Sequence, residues 1–549
     1  MRKTRAFISI VLTVALLMTM VIQVNAEVRY DYEPEAWQLY RLGLFAGASV
    51  HTFNPDLGAA LDRQVGTTLL LNFLGKRKDV ERLSVSEINS ILSRFKDAGE
   101  ISSWARPYMA YAVKTGMIVG TSPNTIGPNN YLDGYSFAAI ILRHLGYVVD
   151  RANFTRSLKM LVDVGGLNPG EDVSFNKSRL IKNDGIGIIY TSLFARSADG
   201  ETLIEKLINS GTVSLDKAIA YKFVRYANTD RIEVVRTEKI KRPSVHDLLY
   251  YEIYEALINA QPQLTIPAAA RAYSAQEIFR IIEKCLTDNP EILYYSGCTY
   301  TYDGTISFRY HLDARTTKDQ QRKLKLKVED IVRKTVTPDM TEFEKEKALH
   351  DYIVNNCDYD KSEYDRIPPS SFNAYGALCL GTAVCEGYAE ATKLLLNRAG
   401  IDCSIVIGTS KGGGHAWNIV RIDGEYYHLD TTYNDPVFSN GDRMLVYHYF
   451  NLTDREIETD HQWKRADYPV CDSTKFNYYS YNSLIAKDQN EFVKLVTQAV
   501  NSGITDISIK VENKKNFNYQ AAVKEACNRL YMSCIALYNQ EMGIVDLRF

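Results

Sequence analysis

The sequence predicts a multidomain chain, with all-α helical repeats at the N-terminus followed by an α+β domain flanked by small α/β units. Three observations carry this. The 549 residues exceed what one core organises, since domains usually run to about 100–200 residues. Two N-terminal stretches repeat one helix–loop–helix layout. From residue 341 onward, helical and strand periods alternate around a cysteine, a histidine and an aspartate.

The first element is a leader. MRKTR is a basic start, AFISIVLTVALLMTMVIQ is apolar, and Val24, Asn25 and Ala26 precede Glu27. Residues 1–26 are therefore expected to be a secretory signal peptide, which makes the mature protein an exported one with no membrane attachment after cleavage. The apolar run is also near the shortest length that spans a bilayer, so a membrane anchor is the alternative. Composition is ordinary for a globular protein, with 46% hydrophobic and 24% charged residues. A net charge of −2 provides no global field toward nucleic acid or an anionic membrane, so no nucleic-acid partner is expected. Nine cysteines form neither a dense disulfide framework nor a zinc-type C-x-x-C pair. Cys527 and Cys534, in one helix-like run, read as two turns apart and too distant to bridge.

Residues 27–200 carry the repeats. AWQLYRLGLFAG and LDRQVGTTLLLNFLG in the first copy correspond to ARPYMAYAVKTGMIVG and LDGYSFAAIILRHLG in the second. A third, more degraded copy is expected over about 167–195, ending in IKNDGIGIIYTSLFA. The stretch FKDAGEISSWA (Phe95, Asp97, Trp104) with the following GMIVG resembles the S-layer homology module. That resemblance implies a three-module prong holding a pyruvylated wall polysaccharide at the cell wall or surface of a Gram-positive bacterium. It also implies an arginine whose planar fork takes the sugar carboxylate bidentately. Arg63 stands at that place in copy one, whereas copy two has Gly134 and copy three Lys182. Arg63, Trp104 and Lys182 are the candidate wall-polymer residues.

Residues 201–243 read as a polar linker. Over 244–340, two helical runs, a strand pair (ILYYSGCTYTYDGTISFRY) and a charged helix form an α/β lead-in domain. The main domain spans 341–475 and opens with Thr341 and Glu344 at capping-box spacing. Residues 476–549 alternate helix and strand as a small C-terminal α/β domain.

Within the main domain, CEGYAEATKLLLNRAGI places Tyr388, Ala391, Leu395 and Ala399 on one helical face, with Gly400 as the stop. Cys385 then heads the helix, where free N–H groups and the dipole favour a thiolate. HAWNIVRI alternates, with His415, Trp417 and Ile419 sharing a face. Asp423-Gly424 reads as a two-residue turn into EYYHLDTTYNDP, a hairpin able to bring Asp430 beside His415. Each residue alone has a bland reading: a small buried cysteine, a core histidine, a turn aspartate. Together they have the order of nucleophile, base and orienting group.

AVCEGYA, GHAWNIV and EYYHLDTTYNDP, with HYFNLTDREI and HQW downstream, resemble the transglutaminase-like, papain-related cysteine superfamily. The resemblance implies Cys385 as nucleophile, His415 as base and then acid, and Asp430 as the group orienting the imidazole. It implies acyl transfer on peptide or protein amides, either peptidase or amidase hydrolysis or transglutaminase-type cross-linking. The backbone N–H of Cys385 is expected to donate one oxyanion-hole bond. Trp417 and His428 are candidates for lining the substrate cleft or supporting the catalytic groups. No cofactor is expected. No zinc spacing, EF-hand loop or phosphate-binding glycine loop is present, so no metal ligands are assigned. The alternative is a non-catalytic surface-layer or wall-binding protein whose papain-like domain only binds peptides.

Overall fold

The computed structural model describes residues 30–46, 53–235, 240–266, 270–436 and 445–549. The expected signal peptide, 1–26, lies outside them. The chain divides into two compact units, one of residues up to 223 with 234–244, the other of 224–233 with 245–549. Among the described residues, no helix is long and apolar enough to cross a membrane.

In the first unit the paired repeat helices are Glu33–Arg41 and Arg63–Phe73, Arg106–Lys114 and Gly134–His144, and Ser157–Asp163 and Lys182–Ser192. The third copy thus starts ahead of residue 167. Each second helix is capped by an acid. Asp62 accepts from the Val65 N–H, Asp133 from that of Ser136, and Asp184 reaches back to the Ile181 N–H. Immediately before these helices, Leu132 N–H donates to Leu61 O, Leu61 N–H to Leu180 O, and Leu180 N–H to Leu132 O, at 2.9–3.0 Å. The three copies therefore close into a ring through their own backbones. A helix pair with one apolar face gains the neighbours it needs this way. The first helical residues extend the pattern: Arg63, Gly134 and Lys182 donate their N–H groups to Asn130, Lys177 and Ala59. A Cβ at Gly134 would lie 2.0 Å from the Phe175 carbonyl oxygen, so copy two has no room for a side chain at the position Arg63 holds.

The stretch read as linker is in part folded. Leu203–Asn209 and Leu215–Ala220 are helices, the first with a Thr202–Glu205 capping box, and Leu203, Ile204 and Leu207 are buried.

The second unit is built around a five-stranded antiparallel sheet in the order Phe450–Leu452, Glu425–Leu429, Gly413–Ile422, Cys403–Ser410, His461–Trp463. Helix Cys385–Arg398 packs on the central strand Gly413–Ile422 and its neighbour Cys403–Ser410. Helix Glu342–Asn356 has the Thr341–Glu344 capping box. Helix Ala314–Thr335 places Leu324, Val328, Ile331 and Val332 in the same core as Tyr388, Leu395, Val420 and Tyr427. Ahead of it, helices Val245–Ile258 and Ala275–Asp288 accompany a three-stranded sheet in which Thr305–Tyr310 is central.

The C-terminal four-stranded sheet, with helices Gln489–Asn501 and Tyr519–Leu530, has its own core. Here the expectation for Cys527 and Cys534 fails. The helix stops at Leu530, Tyr531 turns left-handed (φ 53°), and the chain folds back so that the two sulfurs stand 3.3 Å apart.

Candidate active site

The site is assembled by one helix start and one hairpin. Cys385 is the first residue of its helix, preceded by extended Val384, and is half-buried. Asp423 and Gly424 both have positive φ (49° and 88°), the two-residue turn whose twist suits a hairpin. The turn pairs Ile422 with Glu425 and Asn418 with Leu429, and Asp430 follows on the next residue. Side chains tie these parts together. Asn418 donates to the Ala389 carbonyl on the cysteine helix, Tyr388 donates to Asp435, and Thr392 bonds Thr431.

His415 Nε2 lies 2.7 Å from Asp430 Oδ2. That leaves Nδ1 for Cys385, whose side chain acts on the imidazole. Burial disfavours the charged ring, but the bonds and charges of Asp430 and Cys385 outweigh it and raise His415 to about 10. Asp430 is fully buried. Burial pushes its carboxyl up, yet bonds from His415 and His461 bring it down to about 2. The carboxylate thus holds one nitrogen of the imidazole, and the cysteine at the helix start acts on the same ring.

Trp417 and His428 are 1% and 0% exposed, so neither walls a cleft. The hairpin face that carries His415 is turned into the core. Trp417 stacks behind the imidazole (5.9 Å, 20°) and donates its indole N–H to His428 Nδ1 at 3.0 Å. His428 then donates Nε2–H to Asp454 at 2.9 Å, and burial lowers it to about 4, holding it neutral. On the other side, Tyr433 stacks on His415 at 4.8 Å. Its backbone N–H reaches Asp430 Oδ1, fixing the carboxylate that the hairpin delivers.

Sequence reasoning gave His461 no place in the catalytic group. From the edge strand, its Nε2 reaches the same Oδ2 of Asp430 at 3.1 Å, while Nδ1 lies 2.6 Å from Asp460 Oδ1. Among the described residues, His415–Asp430–His461 and His428–Asp454–Cys471 bring their donor atoms within 4.8 Å. The histidine–carboxylate contacts in both groups are at hydrogen-bond length, and no metal ligand is assigned. Of the other cysteines of this region, Cys471 stands with His428 and Asp454, and burial pushes its thiol up. Cys403 is buried and its thiol is pushed up to about 12.

In the first unit the candidate polymer residues do not assemble as expected. Arg63 donates Nε–H to Ile126 O (2.9 Å) and Nη2–H to Val119 O (2.7 Å), holding the second copy's loop. Lys182 pairs with Asp56 at 2.9 Å. Both cations serve the repeat ring, and Trp104 is left exposed.

Residues 329–431 match the model of the Transglutaminase-like superfamily, and residues 94–134 match that of the S-layer homology domain. Over 105 residues, 17% of this chain, the sequence is 28% identical to the kyphoscoliosis peptidase of Homo sapiens and 27% to that of Mus musculus. The chain spans 16% of the length of each of these relatives. A solved structure of a TGase aligns with 23% of this chain and 41% of its own at 16% identity, TM-score 0.19. A protein from Cytophaga hutchinsonii, solved as a candidate cysteine protease, aligns over 23% and 42% at 18% identity, TM-score 0.17. The chain carries a transglutaminase-like domain preceded by an S-layer homology region.

Proposed function

We propose that the protein is an exported, cell-wall-associated cysteine enzyme that transfers acyl groups from peptide or protein amides. The observation that carries this is the chain Cys385–His415–Asp430, in which a half-buried thiol at a helix start meets an imidazole whose far nitrogen is held by a buried carboxylate. A raised imidazole draws the thiol proton and leaves a thiolate beside an imidazolium. The thiolate attacks the amide carbon, and the oxyanion is held by the N–H groups of the helix start. As the C–N bond breaks, His415 gives its proton to the departing amine and a thioester remains. Water, or a second amine, then adds with His415 accepting its proton, and Cys385 is released. Asp430 keeps Nε2 protonated throughout, so that Nδ1 is the nitrogen that trades the proton.

The S-layer homology region favours placement at the cell surface, and the peptidase and transglutaminase relatives favour amide substrates. Wall-polymer binding is assigned to that region as a whole. An Arg63 fork on a pyruvyl carboxylate has little support, because two arms of the guanidinium already hold backbone carbonyls.

The test is iodoacetamide labelling at pH 6.5 with the sites resolved by peptide mapping. Cys385 reacts ahead of the other eight cysteines, and His415→Ala slows it to their range. If Cys385 labels no faster than Cys298 and is indifferent to His415→Ala, the domain only binds peptides.

A further inference from the structure

The triad carboxylate is shared. Asp430 Oδ2 accepts from two imidazoles, His415 at 2.7 Å and His461 at 3.1 Å, and orienting the catalytic imidazole needs only the first. The second ring is also clamped from behind, with Nδ1 at 2.6 Å from Asp460 Oδ1. Ionised carboxylate oxygens only accept. A neutral imidazole has one N–H, so it would turn a lone pair toward one of the two aspartates. Both nitrogens of His461 therefore carry protons.

The groups bonded to the ring agree with this. Tyr449 donates its hydroxyl to Asp460 Oδ2 at 2.6 Å, leaving that carboxylate ionised. Tyr433 and Tyr449 face His461 at 5.2 and 5.6 Å between ring centroids, Trp417 at 4.9 Å and His415 at 5.3 Å. The remaining titratable neighbours are His428, which is neutral, and Lys411, whose ammonium lies over the Tyr433 ring and acts on Asp460. Asp460 is itself locked by its carbonyl, which accepts from the Ser410 hydroxyl. Burial opposes a charge on His461, but Asp430 and Asp460 outweigh it and raise the ring.

We propose that His461 is a positioning residue: an imidazolium clamped between Asp460 and Asp430 that holds Oδ2 in line with His415 and offsets part of its charge. The offset has a consequence for the chemistry set out above, on which this inference rests. An aspartate facing one imidazole binds that imidazole's proton as tightly as its full charge allows. One that already faces a cation binds it less tightly, and His415 releases its proton to a leaving amine more readily.

The experiment is an imidazole ¹⁵N NMR titration of the full chain, wild type beside His461→Gln and Asp460→Asn. It reads the rings directly, without turnover. Wild-type His461 shows two protonated nitrogens at pH 7. In both variants the His415 midpoint rises by about one pH unit, the lower end of what a single nearby charge does. Asp460→Asn is the decisive variant, because it leaves the ring in place and removes only the reason for its charge. A neutral His461 at pH 7 in the wild type, or a His415 midpoint unmoved in a folded Asp460→Asn protein, overturns the proposal. The acyl-transfer reading fails on a different signal, a Cys385 that labels like its neighbours.

Discussion

Replacing Asp430 by asparagine keeps the shape of the site and changes its hydrogen-bond logic. The carboxylate receives three N–H donors, from His415 and His461 on Oδ2 and from Tyr433 on Oδ1. An asparagine has one acceptor oxygen. If that oxygen stays with Tyr433, the amide NH₂ confronts both imidazoles. His415 then meets its new partner by accepting on Nε2, which moves its proton to Nδ1, the nitrogen facing the thiol. An imidazole protonated there cannot take the thiol proton. An unassisted thiol is about 1% ionised two units below its ordinary value of about 8.5, so Cys385 labelling at pH 6.5 falls about a hundredfold. Turnover falls further, since the analogous change in a serine-protease triad costs about 10⁴. Stability changes as well. His461 loses a buried counter-ion, and breaking such a pair costs about 3–5 kcal/mol at neutral pH. The acid limb shows the sign. The folded carboxyl titrates at about 2 against 3.8 unfolded, so its contribution is full above 3.8 and is lost as pH falls toward 2. At about 1.4 kcal/mol per unit this amounts to about 2–3 kcal/mol, and the variant lacks that slope. Urea unfolding between pH 2 and 7, with peptide-mapped labelling, reads both effects. A folded Asp430→Asn protein whose Cys385 labels at the wild-type rate refutes the reasoning.

Two further predictions concern stability and thiol chemistry. Glu346 is fully buried, with Oε2 accepting from Asn451 and Oε1 unpartnered, and burial raises it to about 8. Its contribution is full below the ordinary 4.5 and is lost as pH rises to 8, about 5 kcal/mol in all. Glu346→Gln therefore flattens the alkaline decline of the unfolding free energy, and parallel pH curves for the two proteins would contradict this. Cys527 and Cys534, 3.3 Å apart, close a disulfide when treated with oxidised glutathione, two thiols being lost as two equivalents of reduced glutathione form. A non-reduced peptide map in which both remain free after that treatment rules the pairing out.

What the sequence discloses and what it hides divide by the range of the interaction. The helix from Cys385 and the hairpin at Asp423-Gly424 were readable because their signals are local: a 3–4 apolar spacing, a glycine stop, two positive-φ positions between alternating strands. The Thr202–Glu205 capping box was equally local, and the helix it opens went unread because the polar residues around it resembled a linker. Strand alternation correctly put Trp417 on the His415 face, but period two does not say whether a face looks into the core or out to a cleft. Cys534 is brought to Cys527 by a left-handed tyrosine, where no glycine announced the turn. Arg63 is occupied by carbonyls 56 and 63 residues away, a commitment that only closure of the three-copy ring creates. His461 is the strongest case. It lies 31 residues past Asp430, and HQW, although part of the family resemblance, does not tell that its histidine meets that carboxylate. It reaches the site because the strand His461–Trp463 pairs with Cys403–Ser410, across the sheet from the hairpin that delivers Asp430. Groups that bond the substrate or each other along a hairpin leave a pattern in the chain. A group that sets the charge on the carboxylate behind them needs only proximity, which the sheet order supplies, and so its stretch of chain does not disclose its role.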